Sequence, residues 1–484
     1  ENFLKKEELN IRSCLGESVP TEIFKSIAKK ILVVKQKKVL DTINVKKLIN
    51  KYNLVETNNL VDYINTNFDE ISLESIFLLA ELSNSERQNT AAYFTRKDIV
   101  YSVIKDLPEF KNLKEIKILE PSVGVGNFIP LLFKKYAEHN KVVIDVCDID
   151  KKSLKILKTV LKHLTIPSNF QINVHHVDFL LWNDSTKYDL VIGNPPYGKL
   201  VSNKETLKQY KEKISNPKTN NIFSFFIEKA IQKGKYISFI IPKSFLNAPE
   251  FNTSREFLNK FNIIKICDYG EKAFKGVKIE TISFLCSSSI NSTNNILIES
   301  YIKKSYRKDS KKYIFSNKFP YWLIYRNKEF DNVVAKMNLN IFQSYRDRQI
   351  TKKLTKNKGK IRVLKSRNIG NEVIKNIKGY DCFIDEINSL SVSKYYNKAN
   401  VVMVPNLTYY PRAAFLPEDA IVDGSVALLT LKNSSRLPES KDLEFYGTKE
   451  FENYYRVARN HGTRSLNIDN NSVFFFGLLK QAGD

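Results

Sequence analysis

Four short stretches of this 484-residue chain carry residue types that can do chemistry at close spacing. The sharpest is Ile192-Gly193-Asn194-Pro195-Pro196-Tyr197-Gly198. Two consecutive prolines stiffen the backbone and remove two N–H donors while leaving the carbonyls as acceptors. The Asn194 side-chain oxygen and the Pro195 carbonyl can therefore take both hydrogens of one planar amino group. That pair of bonds localises the nitrogen lone pair and makes it a better nucleophile. Tyr197 offers a flat face to an aromatic ring. An ordinary stiff turn is the plainer alternative.

The second stretch is Leu119-Glu120-Pro121-Ser122-Val123-Gly124-Val125-Gly126-Asn127-Phe128. Glycines in such a turn let a backbone approach a ligand closely, and a following helix offers free N–H groups. Many strand-to-helix turns use glycine for structure alone. The third is Cys147-Asp148-Ile149-Asp150. An acid at a strand end accepts hydrogen bonds from both hydroxyls of a ribose, or caps a helix that begins near Lys151. The fourth is Val177-Asp178-Phe179-Leu180, where an acid and a ring suit an adenine, and where a buried core Phe fits equally well.

These stretches need elements to position them. Residues 1–90 read as mainly helical, with helical spacing at Leu73, Ile76, Phe77, Leu79 and Ala80. From 91 to about 290 the pattern changes. Short β-branched runs at 116–119, 142–146, 188–192 and 236–241 alternate with amphipathic stretches at 153–164 and 222–231. Such alternation specifies an α/β fold with a doubly wound sheet. Ser- and Asn-rich sequence at 287–295 marks a surface turn, and 291–302 reads as a crossing into a third region, 300–484, of short strands, many Tyr and many Lys. The glycine turn, the acid at 148, Asp178 and the Asn-Pro-Pro-Tyr loop then all fall at carboxyl ends of strands, where doubly wound sheets bind ligands.

With these motifs in this order, the chain resembles the gamma-class (Taq-type) S-adenosylmethionine-dependent DNA N6-adenine methyltransferases of restriction-modification systems. Ala92-Tyr93-Phe94-Thr95-Arg96-Lys97-Asp98-Ile99-Val100 is similar to the family's cofactor-binding segment, with Arg96 where Pro is usual. Residues 221–230 and Ile240-Ile241-Pro242-Lys243-Ser244-Phe245-Leu246 extend the likeness, which covers roughly 90–290. The resemblance implies a Rossmann-like catalytic domain over 91–290 and a mixed α+β target-recognition domain after it. It implies that Thr95, Glu120, Pro121, Ser122, Gly124, Gly126, Asp148, Ile149, Asp178, Phe179 and Asn194 bind S-adenosyl-L-methionine. It implies that Asn194, Pro195, Pro196 and Tyr197 hold a flipped adenine, with Phe274 as the second aromatic face. The reaction it implies is direct methyl transfer to N6 with no cysteine nucleophile and no metal. Related families use the same loop on RNA adenine or on a protein glutamine amide, which is the alternative reading.

Charge favours DNA. Lys and Arg number 77 against 52 Asp and Glu, a net +25. Residues 301–484 hold 33 of the cations and 18 of the acids, or +15. An AT-rich genome enriches Lys but does not explain why Lys so outnumbers Glu. Lys352, Lys353, Lys356, Lys358, Lys360, Arg362, Lys365 and Arg367 form a run without an acid, suited to phosphates. Arg412 and Arg464 lie in further polar, aromatic and basic segments. A solvated loop face is the competing reading of the run.

Other classes are disfavoured. There is no apolar stretch of membrane-spanning length, and Glu1 to Lys6 lack the apolar core of a signal peptide. Five scattered cysteines argue against a disulfide framework or a zinc site. The expected setting is cytoplasmic and nucleoid-associated, with double-stranded DNA as partner and the chain acting as a monomer. A cognate restriction endonuclease is a candidate partner, although residues 1–90 carry no Asp/Glu-x-Lys nuclease triplet.

Overall fold

The computed structural model describes residues 37–84, 95–199, 203–274, 278–289, 294–407, 410–432, 436–463 and 467–481. The chain divides into two compact units.

The first unit comprises 1–88, 124–127 and 150–166. Its helices are Thr42–Tyr52, Thr57–Asn67, Leu73–Ser83 and Lys151–His163. Side-chain caps fix where three of them begin. Asp41 accepts from Asn44 N–H, Ser72 from Ser75 N–H, and Asp150 from Lys152 and Ser153 N–H. The expected helix at 73–80 is present and buries Ser75 through Ala80 continuously. Helix Lys151–His163, sequentially part of the α/β region, groups here. Its His163 ring stacks on Phe68 at 4.8 Å, and Lys155 Nζ donates to Asn58 at 2.5 Å.

The second unit holds a nine-stranded sheet: β1 (Ile116–Glu120), β2 (Val142–Asp148), β3 (Phe170–His176), β4 (Tyr188–Gly193), β5 (Gly234–Pro242), β6 (Asn262–Gly270), β7 (Thr281–Ser287), β8 (Asn295–Ser300) and β9 (Ser305–Ser310). The order is β3-β2-β1-β4-β5-β7-β6-β8-β9. Strands β1 to β5 run parallel, and β7 is antiparallel to both β5 and β6. The fold is α/β and Rossmann-like. All of β4 and β7 is buried, as apolar runs covered on both faces must be. The strand order reverses between β1 and β4, which places the ligand crevice at their carboxyl ends.

The sheet does not stop at residue 290. The Ser/Asn-rich stretch connects β7 to β8, and β8 pairs in parallel with β6. The outermost strand, β9, is Ser-Tyr-Arg-Lys-Asp-Ser, a charged edge that discourages pairing with another chain.

Beyond Ser310 lie helices Lys328–Lys336, Ser440–Tyr446 and Lys449–Ala458. A four-stranded sheet and a three-stranded sheet accompany them. Val363, Leu364, Ile369, Met403, Ile421 and Leu428 belong to the core of this part. It is the mixed α+β region that the sequence led one to expect.

Candidate functional site

Strand β1 ends on Glu120, which is 1 % exposed. Its Oε2 is buried and has no hydrogen-bond partner among the described residues. Burial, and then the charge of Asp148 at the end of β2, push the Glu120 carboxyl well above the usual carboxylate range. A buried acceptor without a donor is costly and uncommon. A cationic ligand group in contact with it would satisfy the oxygen and restore the charge.

The loop after β4 is tied to the turn after β1. Ser122 Oγ donates to the Asn194 carbonyl at 3.2 Å. A Cβ at Gly193 would stand 3.7 Å from both Glu120 Cγ and Pro121 Cδ, so the two strand ends approach closely. Asn194 Nδ2 donates to Thr95 Oγ1 at 3.1 Å. This bond fixes the amide plane and turns its carbonyl end the other way. Thr95 is buried, and its backbone bridges to Phe274, with Arg96 N–H donating to Ala273 O at 3.2 Å. The Thr95 segment, expected to serve the cofactor, thus also orients Asn194.

Pro195 and Tyr197 are buried and Pro196 is half-buried. Tyr197 Oη donates to Ile240 O at 3.1 Å, which pins the ring beside β5. The Tyr197 and Phe274 rings lie 5.8 Å apart, tilted by 58°. The structure therefore brings Phe274 to the Asn-Pro-Pro-Tyr loop across 77 residues of sequence. The two rings touch, however. A base stacked between them needs two gaps of about 3.5–4 Å, so roughly 7–8 Å between centroids.

At the other side of β1, the sequence left two roles open for the acids near 148. Asp150 caps helix Lys151–His163, and Asp148 remains at the end of β2. Ile149 beside it is 67 % exposed, while its carbonyl meets His176 Nε2 at 3.1 Å. An exposed isoleucine at a strand end is a flat apolar surface fit for a base. Asp178 accepts from Leu180 N–H at 2.9 Å and from Tyr210 Oη at 2.6 Å. The Tyr210 contact carries no signal in the sequence. Phe179 occupies the buried position that its sequence context also allowed. Its ring is buried against Phe226 at 5.1 Å, with Lys229 Nζ 5.1 Å from its centroid, so it presents no open stacking face. In the glycine turn, Gly124 (φ +54°) and Gly126 (φ +94°) both adopt the left-handed region that glycine accommodates without strain.

The basic run after residue 350 is exposed at Lys352, Lys353, Lys356, Lys358, Lys360 and Arg367. Lys356 pairs with Asp385 at 2.7 Å and Arg362 with Asp381 at 3.0 Å. Lys365 Nζ lies 4.0 Å from the Tyr380 ring centroid, and Arg367 approaches the same ring at 5.2 Å. Arg412 departs from the expectation of a surface cation. It is half-buried, and its guanidinium donates to the carbonyls of Ile369, Ser366 and Tyr410. Arg464 lies outside the described residues. Among the described residues no His/Cys/Asp/Glu group suits a metal ion, and no helix is long and apolar enough to cross a membrane.

The crevice of the Rossmann-like sheet at the β1/β4 reversal thus holds a buried carboxyl with the Asn-Pro-Pro-Tyr loop beside it. Residues 20–274, more than half of the chain, match the Eco57I restriction-modification methylase, and the chain belongs to that family. It is 28% identical over 200 residues to type II methyltransferase M.VspI of Vibrio sp. (strain 343), a match covering 40% of this chain and 47% of that one. It is 26% identical over 216 residues to type II methyltransferase M.CvrRI of Paramecium bursaria Chlorella virus XZ-6E, covering 44% and 52%. The matches thus span about half the length of these relatives. Among solved structures, the type IIL restriction-modification enzyme MmeI in complex with DNA shares the fold, with a TM-score of 0.57 at 11% identity, over 84% of this chain and 71% of that one. The family's cofactor, S-adenosyl-L-methionine, fits the residues present. It carries the cationic groups that the orphaned Glu120 oxygen lacks and a base that the exposed Ile149 can flank.

Proposed function

We propose that this chain is a site-specific DNA methyltransferase that modifies the N6 amino group of adenine, as the modification enzyme of a restriction-modification system or as an orphan. The observation that carries the reading is Asn194 in Asn-Pro-Pro-Tyr, set by Thr95 at the sheet's switch point with Tyr197 and Phe274 adjoining.

Glu120, Asp148 and Ile149 hold the cofactor, with Asp178 toward its adenine. When bound, S-adenosyl-L-methionine supplies an electrophilic methyl group. The chain's own work is on the target base. Asn194 Oδ1 and the Pro195 carbonyl accept the two hydrogens of the exocyclic amino group. Both bonds draw electron density toward nitrogen and leave its lone pair out of the ring plane. Positioning and preorganised dipoles supply the rate. The amino group is paired inside a duplex, so the base must leave the stack. Tyr197 and Phe274 separate to admit it, and each stacking face offsets about 1–3 kcal/mol of the unstacking cost. The basic segment after residue 350 holds the DNA backbone, with the C-terminal region selecting the site.

The test offers duplex DNA, RNA and bulk protein in parallel to the chain with methyl-labelled cofactor. Label in DNA alone supports the reading. Label in RNA or protein alone overturns it in favour of the relatives that share the loop.

A further inference from the structure

A cavity of about 200 Å³ opens where β5 ends and β7 begins. Pro242 of β5 pairs with Thr281 of β7, and Lys243 N–H donates to Glu280 O at 2.8 Å. The cavity lies at the carboxyl end of β5, and β5 neighbours β4, whose end carries the Asn-Pro-Pro-Tyr loop. Tyr197 Oη bonds Ile240 of β5, and Lys278 on the rim follows Phe274 by four residues.

Its lining is cationic. Lys243, Lys278 and Arg459 face it, together with Ser244 and Asn247. Two carboxylates stand against these cations. Lys243 Nζ lies 2.7 Å from Asp268 and 3.7 Å from Glu280. Both acids accept a further bond: Tyr325 Oη donates to Asp268 at 2.6 Å, and Thr463 N–H donates to Glu280 at 2.8 Å. Asp469 acts on Arg459, so Lys278 is the lining cation that has no ion pair among the described residues. Beside Gly462, burial first and then Lys303, Lys243 and Arg456 hold His461 far below its ordinary value, at about 3.

Between the lining residues Arg459 and Gly462 the backbone is left-handed. Asn460 and His461 are consecutive non-glycine residues with φ of 49° and 51°. The Asn460 amide locks them by donating to Trp322 O at 2.7 Å and accepting from Ile324 N–H at 2.9 Å. Left-handed backbone of this kind gathers at ligand sites, where surrounding structure enforces it. Gly462 follows and lines the cavity. The volume suits about six waters, at some 30 Å³ each, or one phosphodiester group with its bridging oxygens. It does not suit a nucleotide.

We infer that this cavity grips a backbone phosphate of the DNA strand whose adenine is flipped. Lys278 and Lys243 supply charge, and Ser244 and Asn247 supply neutral hydrogen bonds. Rotating a base out of the duplex turns it about its own backbone, and a phosphate fixed at the end of the neighbouring strand provides the pivot. The inference rests on the DNA reading above and adds residues to it: these are positioning residues that touch the backbone, away from the amino group.

Binding, rather than turnover, provides the test. Affinity is measured across a salt series with S-adenosylhomocysteine present, on a duplex carrying the methylated site and on a mixed-sequence duplex. Lys278→Gln removes charge. Ser244→Met fills the cavity and leaves charge unchanged. Each variant is expected to flatten the slope of log affinity against log salt by about 0.9, the value for one phosphate contact. The double variant is expected to lose no more than either single one. A wild-type slope in Ser244→Met, or slope losses that add in the double variant, would show Lys278 to be an ordinary surface cation and overturns the inference. Unchanged slopes in both variants overturn it as well, and are what a site for free phosphate would give. If no DNA is methylated, the proposed function fails on its own readout; if DNA is methylated and the slopes on the methylated site do not change, the inference fails alone.

Discussion

Replacing Thr95 by Val separates two roles that a cofactor-binding segment and an Asn-orienting residue would otherwise share. Val keeps the shape of Thr and removes only the Oγ1 that accepts from Asn194 Nδ2 at 3.1 Å. Without it, the half-buried amide loses the bond that holds its plane. An unsatisfied buried polar group costs about 1–3 kcal/mol. If that loss falls on the oriented, reactive arrangement, kcat drops by about 5- to 150-fold, at 1.36 kcal/mol per decade. The cofactor KM and its calorimetric Kd stay within about twofold, since the bond is to the base-binding loop. Thr95→Ser keeps the hydroxyl and recovers most of the rate. The assay is steady-state transfer of labelled methyl groups to DNA at varied cofactor concentration, with calorimetry alongside. A raised cofactor KM with unchanged kcat would refute the reasoning and make Thr95 a cofactor contact alone.

Four further outcomes are expected. Cofactor affinity falls as pH drops below the raised Glu120 value, approaching tenfold per pH unit, because binding a cation there requires the ionised carboxylate; calorimetry over a pH series checks it, and Glu120→Gln should bind weakly and without that dependence. The same proton has the opposite sense for the apoprotein. The folded state holds it more tightly than the unfolded chain, so its stabilisation is full below the ordinary carboxylate range and is lost as pH rises through the raised value. Tm against pH should show that loss in the native chain and not in Glu120→Gln. Arg412→Ala removes donors from the Ile369, Ser366 and Tyr410 carbonyls, so thermal unfolding should report a loss on the order of 2 kcal/mol with an unchanged salt slope for DNA, whereas Lys358→Ala should flatten that slope by about 0.9 and leave Tm alone. Asp268→Asn leaves the buried ammonium of Lys243 with only the more distant Glu280, 3.7 Å away, and should cost up to about 3–5 kcal/mol in denaturant unfolding.

Strands β1, β2, β4 and β5 were legible because buried parallel strands are continuous apolar, β-branched runs. Strand β3, Phe-Gln-Ile-Asn-Val-His-His, is a half-buried edge strand whose polar residues break that signal. Strand β9 is a charged edge with almost no apolar content, and the Ser/Asn-rich turn before β8 looks like the end of a domain although the sheet continues. Local capping rules left Asp148 and Asp150 open, and only hydrogen-bond geometry distinguishes them. The Asn-Pro-Pro-Tyr loop could be read directly because its chemistry lies within four adjacent residues. The bonds from Asn194 to Thr95 and from Asp178 to Tyr210 join positions 99 and 32 residues apart, between side chains with no periodic or compositional mark. The same holds for Arg412, since nothing in a basic, aromatic segment tells a guanidinium bound to carbonyls from one offered to phosphate.

The central claim is that Asn194 presents an adenine amino group for methylation. It is tested most directly by digesting DNA methylated by the native chain and by Asn194→Ala to nucleosides, and reading both by mass spectrometry. N6-methyldeoxyadenosine from the native chain, and its absence with the variant, is the expected result. A methylated cytosine, or equal N6-methyldeoxyadenosine from both proteins, would contradict it.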